Sequence, residues 1–220
     1  MRPLVAVPEH AQPVRVLVVE EHPVIRIGLL SVLNAERDMA VVGAAGDLTD
    51  ALVMIERWAP DTVLLDPELK SVDGPTAVRF LLEHAPGLHI VALGQHDGDE
   101  AIYRVLEAGA CGYLFKTSAV SEIVAALRDA RAGRTCVSPH ARQRLEERRR
   151  QPDLTIRERE VLALLAEGRC NATIAAVLEI THGTVKLHVR SILAKLGVED
   201  RAQAALVALR RGFARMPADH

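Results

Sequence analysis

The chain has 220 residues, 49% of them hydrophobic, and a formal net charge of −2. That length allows one or two domains, and that apolar content fills a core and excludes a disordered chain. Three cysteines, Cys111, Cys136 and Cys170, lie far apart without a CxxC pair, which argues against a disulfide scaffold or zinc site and suits a reducing cytosol.

Residues 1–13 contain three prolines and no signal-peptide core, and read as a loose extension. Short, almost uniformly apolar runs follow at 14–19, 39–44, 62–66, 89–93 and 112–115. Such runs mark parallel strands covered on both faces. Amphipathic segments near 23–34, 47–58, 74–84, 99–108 and 118–130 predict helices between them. In the last, Val120, Ile123, Val124 and Leu127 recur at helical spacing. Five β-α units predict a doubly wound α/β domain over 14–130. Residues 131–153 are polar and read as a linker, part of which can be helical. No run approaches the roughly 20 apolar residues that span a bilayer, so no membrane role is expected.

From 154 the pattern is helical only, and 154–212 read as a small all-α domain, with 213–220 as a tail. "TIRE" (155–158) is a capping box, so a helix should start there and end near Gly168. Asn171 is expected to cap a second helix, 172–178. The turn "EIT" leads to a third, about 182–196, closed by Gly197. Asp200 should cap a fourth, about 201–211. Two helices joined by a tight turn form a helix-turn-helix. The charge divides along the same boundary. Residues 1–130 carry 10 basic and 19 acidic side chains, and residues 131–220 carry 17 and 10. A basic second half suits a polyanionic partner.

In parallel sheets the working crevice lies at the carboxyl ends of the strands. Glu20 and Glu21 follow the first strand, Asp66 the third, and Lys116 the fifth. Taken singly, such residues are usually turn caps. Three carboxylates and one ammonium in one crevice predict a cation site instead, because crowded carboxylates persist around a cation. Mg²⁺ is the expected ion. Phosphoryl transfer onto Asp66, with the metal and Lys116 stabilising charge, is the chemistry implied. The histidines other than His188, His22 among them, show no metal-ligand spacing.

"VRVLVVEEHPVIRIGLLSVL", "PDTVLLDPELKSVDG" and "AGACGYLFK" resemble the receiver domain of bacterial response regulators. The resemblance implies a flavodoxin-like (βα)5 fold and an Asp66 phosphoacceptor. It implies a metal held by Glu20, Glu21, Asp66 and the main-chain carbonyl of Glu68. Lys116 would contact the phosphoryl group, and Tyr113 would be the switch aromatic. Four positions depart from that pattern. Glutamates stand where aspartates lead the acidic pair. Gly94 stands where a Ser or Thr hydroxyl is expected. Pro67 follows the acceptor and removes an N–H. Lys70 replaces a usual proline. Together these predict weak or absent control by phosphorylation.

On a helical wheel of "THGTVKLHVRSILAKLG", Val185, Val189, Ile192, Leu193 and Leu196 face inward. Leu187 and Arg190 point outward with Gly183 and Ala194, and Lys186 lies at the border. Lys186 and Arg190 suit guanine edges and Leu187 a thymine methyl. Thr184, His188 and Lys195 are expected on phosphates. The stretch 154–212 resembles the LuxR-type helix-turn-helix, and the whole chain resembles a NarL/FixJ-class regulator. That implies a cytoplasmic transcriptional regulator that binds inverted-repeat double-stranded DNA. It would dimerise with itself or a related regulator, and a sensor kinase would feed Asp66. The alternatives are a conventional regulator activated at Asp66 and, less favoured, a phosphoryl-transfer enzyme on a similar fold. The absence of a GxxxxGK[ST] loop counts against a nucleotide-using enzyme.

Overall fold

The computed structural model describes residues 12–214. The expected N-terminal extension and C-terminal tail lie mostly outside these residues. The chain forms two compact units. The first holds the residues up to Gln95 together with Val105–Ser138, and the second holds His96–Arg104 together with the chain from Pro139 onward.

The first unit is built on a parallel sheet. Its strands are β1 (Val14–Val19), β2 (Met39–Ala45), β3 (Thr62–Leu65), β4 (His89–Gly94), β5 (Gly112–Phe115) and β6 (Cys136–Val137). Their spatial order is β2-β1-β3-β4-β5-β6, with every pairing parallel. The first five follow the flavodoxin-like order expected from five β-α units. The helices of the first unit are α1 (Pro23–Asn34), α2 (Leu48–Trp58), α3 (Gly74–His84) and α5 (Val120–Arg131), while α4 (Asp99–Glu107) belongs to the second unit up to Arg104 and to the first from Val105. Val16, Val18, Leu64, Val91 and Leu114 pack against Leu29, Leu33, Ile123, Val124 and Leu127 in one buried cluster. Each such side chain contributes roughly 1.5–3 kcal/mol by leaving water. The stripe expected on α5 includes Val120, yet that residue is 46% exposed at the helix start. The helix begins two residues later than predicted because Ser118 makes a local turn. Its N–H donates to Phe115 O at 2.8 Å, and its hydroxyl accepts from Phe115 N at 3.3 Å.

Two elements lie in the stretch expected as a linker. The first is β6, which adds a sixth strand at the sheet edge beside β5. It brings together two cysteines that are distant in sequence: Cys136 N donates to Cys111 O at 2.9 Å. The second element is α6 (Pro139–Arg149), which buries Ala141 and Arg148.

The second unit contains α6, α7 (Ile156–Ala166), α8 (Asn171–Val177), α9 (His182–Leu196) and α10 (Arg201–Arg211). The capping box forms as predicted. Thr155 Oγ1 accepts from Glu158 N at 3.2 Å, and Glu158 Oε2 accepts from Thr155 N at 2.8 Å. The expected cap of α8 does not form. Asn171 is already helical, and Cys170 takes the cap position without a side-chain bond to the backbone. The next two caps form. Thr181 Oγ1 accepts from Thr184 N at 3.1 Å, and Asp200 Oδ1 accepts from Gln203 N at 2.8 Å. Gly197 ends α9 at φ +66°, a conformation that favours glycine. Leu162, Leu165, Ile174, Val185, Ile192, Ala204 and Ala208 share one core.

A buried ionic cluster also lies in this unit. Glu100, fully buried, receives Arg148 Nε, and Arg159 approaches it at 3.5 Å. Arg148 Nη2 reaches Asp153 at 2.6 Å, and Arg211 Nε bonds Asp99 at 3.1 Å. The "RRR" run at 148–150 is therefore not uniformly a solvated charge. Removing one member of a buried pair strands the other in a low-dielectric site and costs about 3–5 kcal/mol. Arg148→Ala should lower the urea stability of the second unit by that order. An unchanged urea midpoint would show that Glu100 has no need of its partner.

Candidate functional site

The β1–β3 register sets Val19 beside Leu65, and Asp66 N donates to Val19 O at 2.8 Å. The residues that follow the two strands, Glu20 and Asp66, therefore sit side by side, each 1% exposed. Lys116, just after β5, lies between them. Its Nζ donates to Asp66 Oδ2 at 2.8 Å and stands 2.9 Å from Glu20 Oε2. Asp66 Oδ1 accepts from Glu68 N at 2.9 Å. Glu20 Oε1 accepts from His22 N at 2.8 Å and lies 3.0 Å from His22 Nδ1.

The two carboxyls titrate in opposite directions. Burial, reinforced by the Glu20 charge, raises Asp66 above the ordinary carboxylate range despite its bonds to Lys116 and Glu68. Burial also works to raise Glu20, but the bonds from Lys116 and His22 outweigh it and hold that group low. For Lys116, burial favours the neutral amine, yet its two carboxylate partners raise it and keep it charged.

Glu21, expected among the metal ligands, is not brought to this cluster. Its side chain pairs with Lys70 Nζ, and its Oε2 accepts from Lys70 N at 2.9 Å. Glu21 lies on the bend after β1, where Lys70 draws its carboxylate away from Glu20. His22 takes the third place instead. One ligand atom each from Glu20, His22 and Asp66 lies within 4.8 Å of the others. No histidine spacing in the sequence pointed to that. Glu68 turns its carboxylate to Gln95, accepting from the backbone N at 3.1 Å. The donor set thus suits a divalent cation only in part, since Lys116 already occupies the space between its two carboxylates.

Tyr113 is 1% exposed and lies directly over Gly94. A Cβ built on Gly94 would stand 2.0 Å from Tyr113 Oη and 2.7 Å from its Cζ. The tyrosine fills the volume where a side chain at position 94 would stand. Phe115 supports it edge-on, with ring centroids 5.5 Å apart.

In the second unit, α9 buries Val185 and Ile192 and half-buries Val189, Leu193 and Leu196. Lys186, Leu187 and Arg190 are exposed, Leu187 at 69%. Thr184 and His188 are half-buried at the flank, with Thr184 Oγ1 held 2.8 Å from Thr181 Oγ1. Lys195, expected on a phosphate, is committed elsewhere. Its Nζ donates to Glu158 Oε2 at 2.7 Å and to Asp153 O at 3.2 Å. Ser191 also donates to Glu158, at 2.6 Å. The capping-box motif located Glu158 but gave no sign that this carboxylate also anchors α9.

The response regulator receiver domain family matches residues 16–128, and the luxR family of bacterial regulatory proteins matches residues 152–208. The transcriptional regulatory protein LiaR of Bacillus subtilis (strain 168) is 36% identical over 205 residues, covering 90% of this chain and 97% of LiaR. The response regulator protein VraR of Staphylococcus epidermidis is 35% identical over 205 residues, covering 91% and 98%. Among solved structures, the response regulator ChrA of a heme-sensing two-component system aligns with TM-score 0.56 at 33% identity, covering 92% and 100%. RcsB, solved as two dimers bound to two parallel DNAs, aligns with TM-score 0.67 at 26% identity, covering 91% and 99%. The chain is a two-component response regulator: a receiver followed by a LuxR-type helix-turn-helix. It belongs to the NarL/FixJ class, whose members are transcriptional regulators rather than enzymes.

Two outcomes follow. Burial works against the Glu158 carboxylate, but the bonds from Lys195, Ser191 and Thr155 hold it at about 2, below its ordinary 4.5. A depressed acid stabilises the fold above its unfolded value and loses that contribution as pH falls through the folded one. Urea stability should therefore drop by on the order of 3 kcal/mol between pH 4.5 and 2, and Glu158→Gln should lack that increment. Equal pH profiles for the two proteins would contradict the clamp. Separately, Gly94→Thr cannot coexist with Tyr113 in its present position. Tyrosine nitration mapped by mass spectrometry should find Tyr113 protected in the native chain and reactive in the variant; equal protection would refute the packing.

Proposed function

We propose that the chain regulates transcription by binding double-stranded DNA through α9, with its receiver only weakly controlled, or not controlled, by phosphorylation at Asp66. The observation that carries the DNA reading is the division of α9. Its apolar stripe is spent on the core, which leaves Lys186, Leu187 and Arg190 exposed together on the other side. That set suits a major groove: two cations for guanine O6 and N7 and one apolar side chain for a thymine methyl. Thr184 and His188 flank it at phosphate positions. Lys195 contributes through Glu158, by holding α9 against α7, rather than through DNA.

RcsB, a solved relative, binds DNA as dimers. By extension, this chain would bind an inverted repeat as a homodimer or with a related regulator, with recognition helices about one helical turn apart. Such a regulator works in the cytoplasm. Residues 14–130 would serve as the receiver, 131–153 as the connection and 154–212 as the DNA-binding domain.

For the receiver, Asp66 occupies the acceptor position and a sensor kinase is the natural donor partner. Mg²⁺ would be held by Glu20, Asp66 and the Glu68 carbonyl, and it would supply charge neutralisation for an incoming phosphoryl group. The weak-control reading rests on three features. Glu21 is held by Lys70. Lys116 bridges the carboxylate pair, at 2.9 Å from Glu20 Oε2 and 2.8 Å from Asp66 Oδ2. Position 94 offers no hydroxyl through which the occupied site could pull on Tyr113. Conventional activation at Asp66 is the alternative.

The DNA reading is tested by selecting a binding site from random duplexes and then titrating variants. Lys186→Ala and Arg190→Ala should each cost about 1–3 kcal/mol at that site and relax specificity at individual positions. Lys195→Met should instead lower thermal stability and leave the specificity pattern alone. Unchanged affinity in both alanine variants would overturn the assignment of this face.

A further inference from the structure

We propose that Cys111 and Cys136 form a modification site: a hydroperoxide converts the pair reversibly into a disulfide that ties the edge strand β6 to the start of β5. The pairing register places Cys136 directly opposite Gly112, the neighbour of Cys111. Strands about 4.8 Å apart with a rise of about 3.3 Å per residue set these diagonal neighbours about 5.8 Å apart at Cα, within the range that disulfides span. The backbone joins the two residues, with Cys136 N donating to Cys111 O at 2.9 Å. The Cys136 thiol points to the same carbonyl at 3.7 Å, and the Cys111 thiol donates to Ile90 O at 3.1 Å. Gly112 makes room for this. A Cβ there would stand 2.2 Å from Cys136 Sγ, so a larger residue would push the thiol away.

The two thiols also share a hydrogen bond, which makes them unequal. It holds Cys111 below the ordinary thiol value and pushes Cys136 up. Cys111 is then the thiol that ionises for attack, giving up its bond to Ile90 O, and Cys136 the partner that keeps its proton. Both are half-buried, open to a small oxidant, on the outermost strand pair of the sheet. Cys170, exposed and in the second unit, has no cysteine beside it and can be replaced without touching the pair.

The step balances. The Cys111 thiolate attacks one peroxide oxygen, the O–O bond breaks, and the departing hydroxide takes a proton to become water. The product is a sulfenic acid at Cys111. The Cys136 sulfur then attacks the Cys111 sulfur, the S–O bond breaks, and the hydroxyl leaves with the Cys136 proton as a second water. Two thiols lose two electrons, and one peroxide is reduced to two waters. A dithiol reductant reverses the bond by exchange.

The test treats the full chain, carrying Cys170→Ser, with hydrogen peroxide. Remaining thiols are then blocked with N-ethylmaleimide, and the digest is mapped by mass spectrometry. The expected product is a peptide containing Cys111 joined within one chain to a peptide containing Cys136, lost on adding dithiothreitol. In Cys136→Ser, Cys111 should stop as a sulfenic acid that dimedone traps. Should that variant misfold, Cys111→Ser supplies the second arm, in which Cys136 stays reduced. Full maleimide labelling of both cysteines after peroxide would overturn the proposal. So would oxidation of Cys111 to a sulfinic acid with no cross-link.

Discussion

The receiver depends on Lys116 standing between Glu20 and Asp66. Parallel pairing of β1 and β3 forces the two carboxylates together at the carboxyl edge of the sheet, where both are buried. An isolated ion in such a place costs several kcal/mol, and two like charges cost more. A cation between them is therefore a condition of the fold as much as a feature of its chemistry. Lys116 meets that condition from within the chain, at 2.8 and 2.9 Å. A divalent ion entering the same crevice has to compete with an ammonium that both partners keep protonated.

The same crevice explains how position 94 matters. A side chain there and Tyr113 in its present place exclude one another by volume. With no Cβ at position 94, Tyr113 packs onto the strand and is buried. The second unit uses a buried carboxylate in a comparable way. Glu158 caps α7, bonds Ser191 and Lys195 of α9, and so orients the helix whose exposed face carries Lys186, Leu187 and Arg190.

Much of this was legible in the residues. Uniform apolar runs marked the five parallel strands, and the motif spacing marked the capping box and the helix after the turn. The strand-end rule brought Glu20, Asp66 and Lys116 together. What was not legible depends on direction or on long-range neighbours. Glu21 was placed with Glu20 by adjacency, yet its carboxylate pairs with Lys70, a neighbour from another loop. His22 follows no ligand spacing because it joins through a main-chain turn. Lys195 reads as one more base on a basic helix until Glu158 is seen beside it. β6 is two residues long, too short for periodicity to detect, so the meeting of Cys111 and Cys136 had no sequence signal.

The proposal at the centre of the account is that Asp66, paired with its own lysine, takes up little phosphoryl group. Intact-protein mass spectrometry after incubation with Mg²⁺ and acetyl phosphate, beside an Asp66→Asn control, tests it most directly. The account predicts a native mass that gains little or no phosphoryl group and matches the control, in a protein that remains folded and still binds DNA. A near-complete gain of one phosphoryl group that vanishes in Asp66→Asn would contradict it and restore conventional activation.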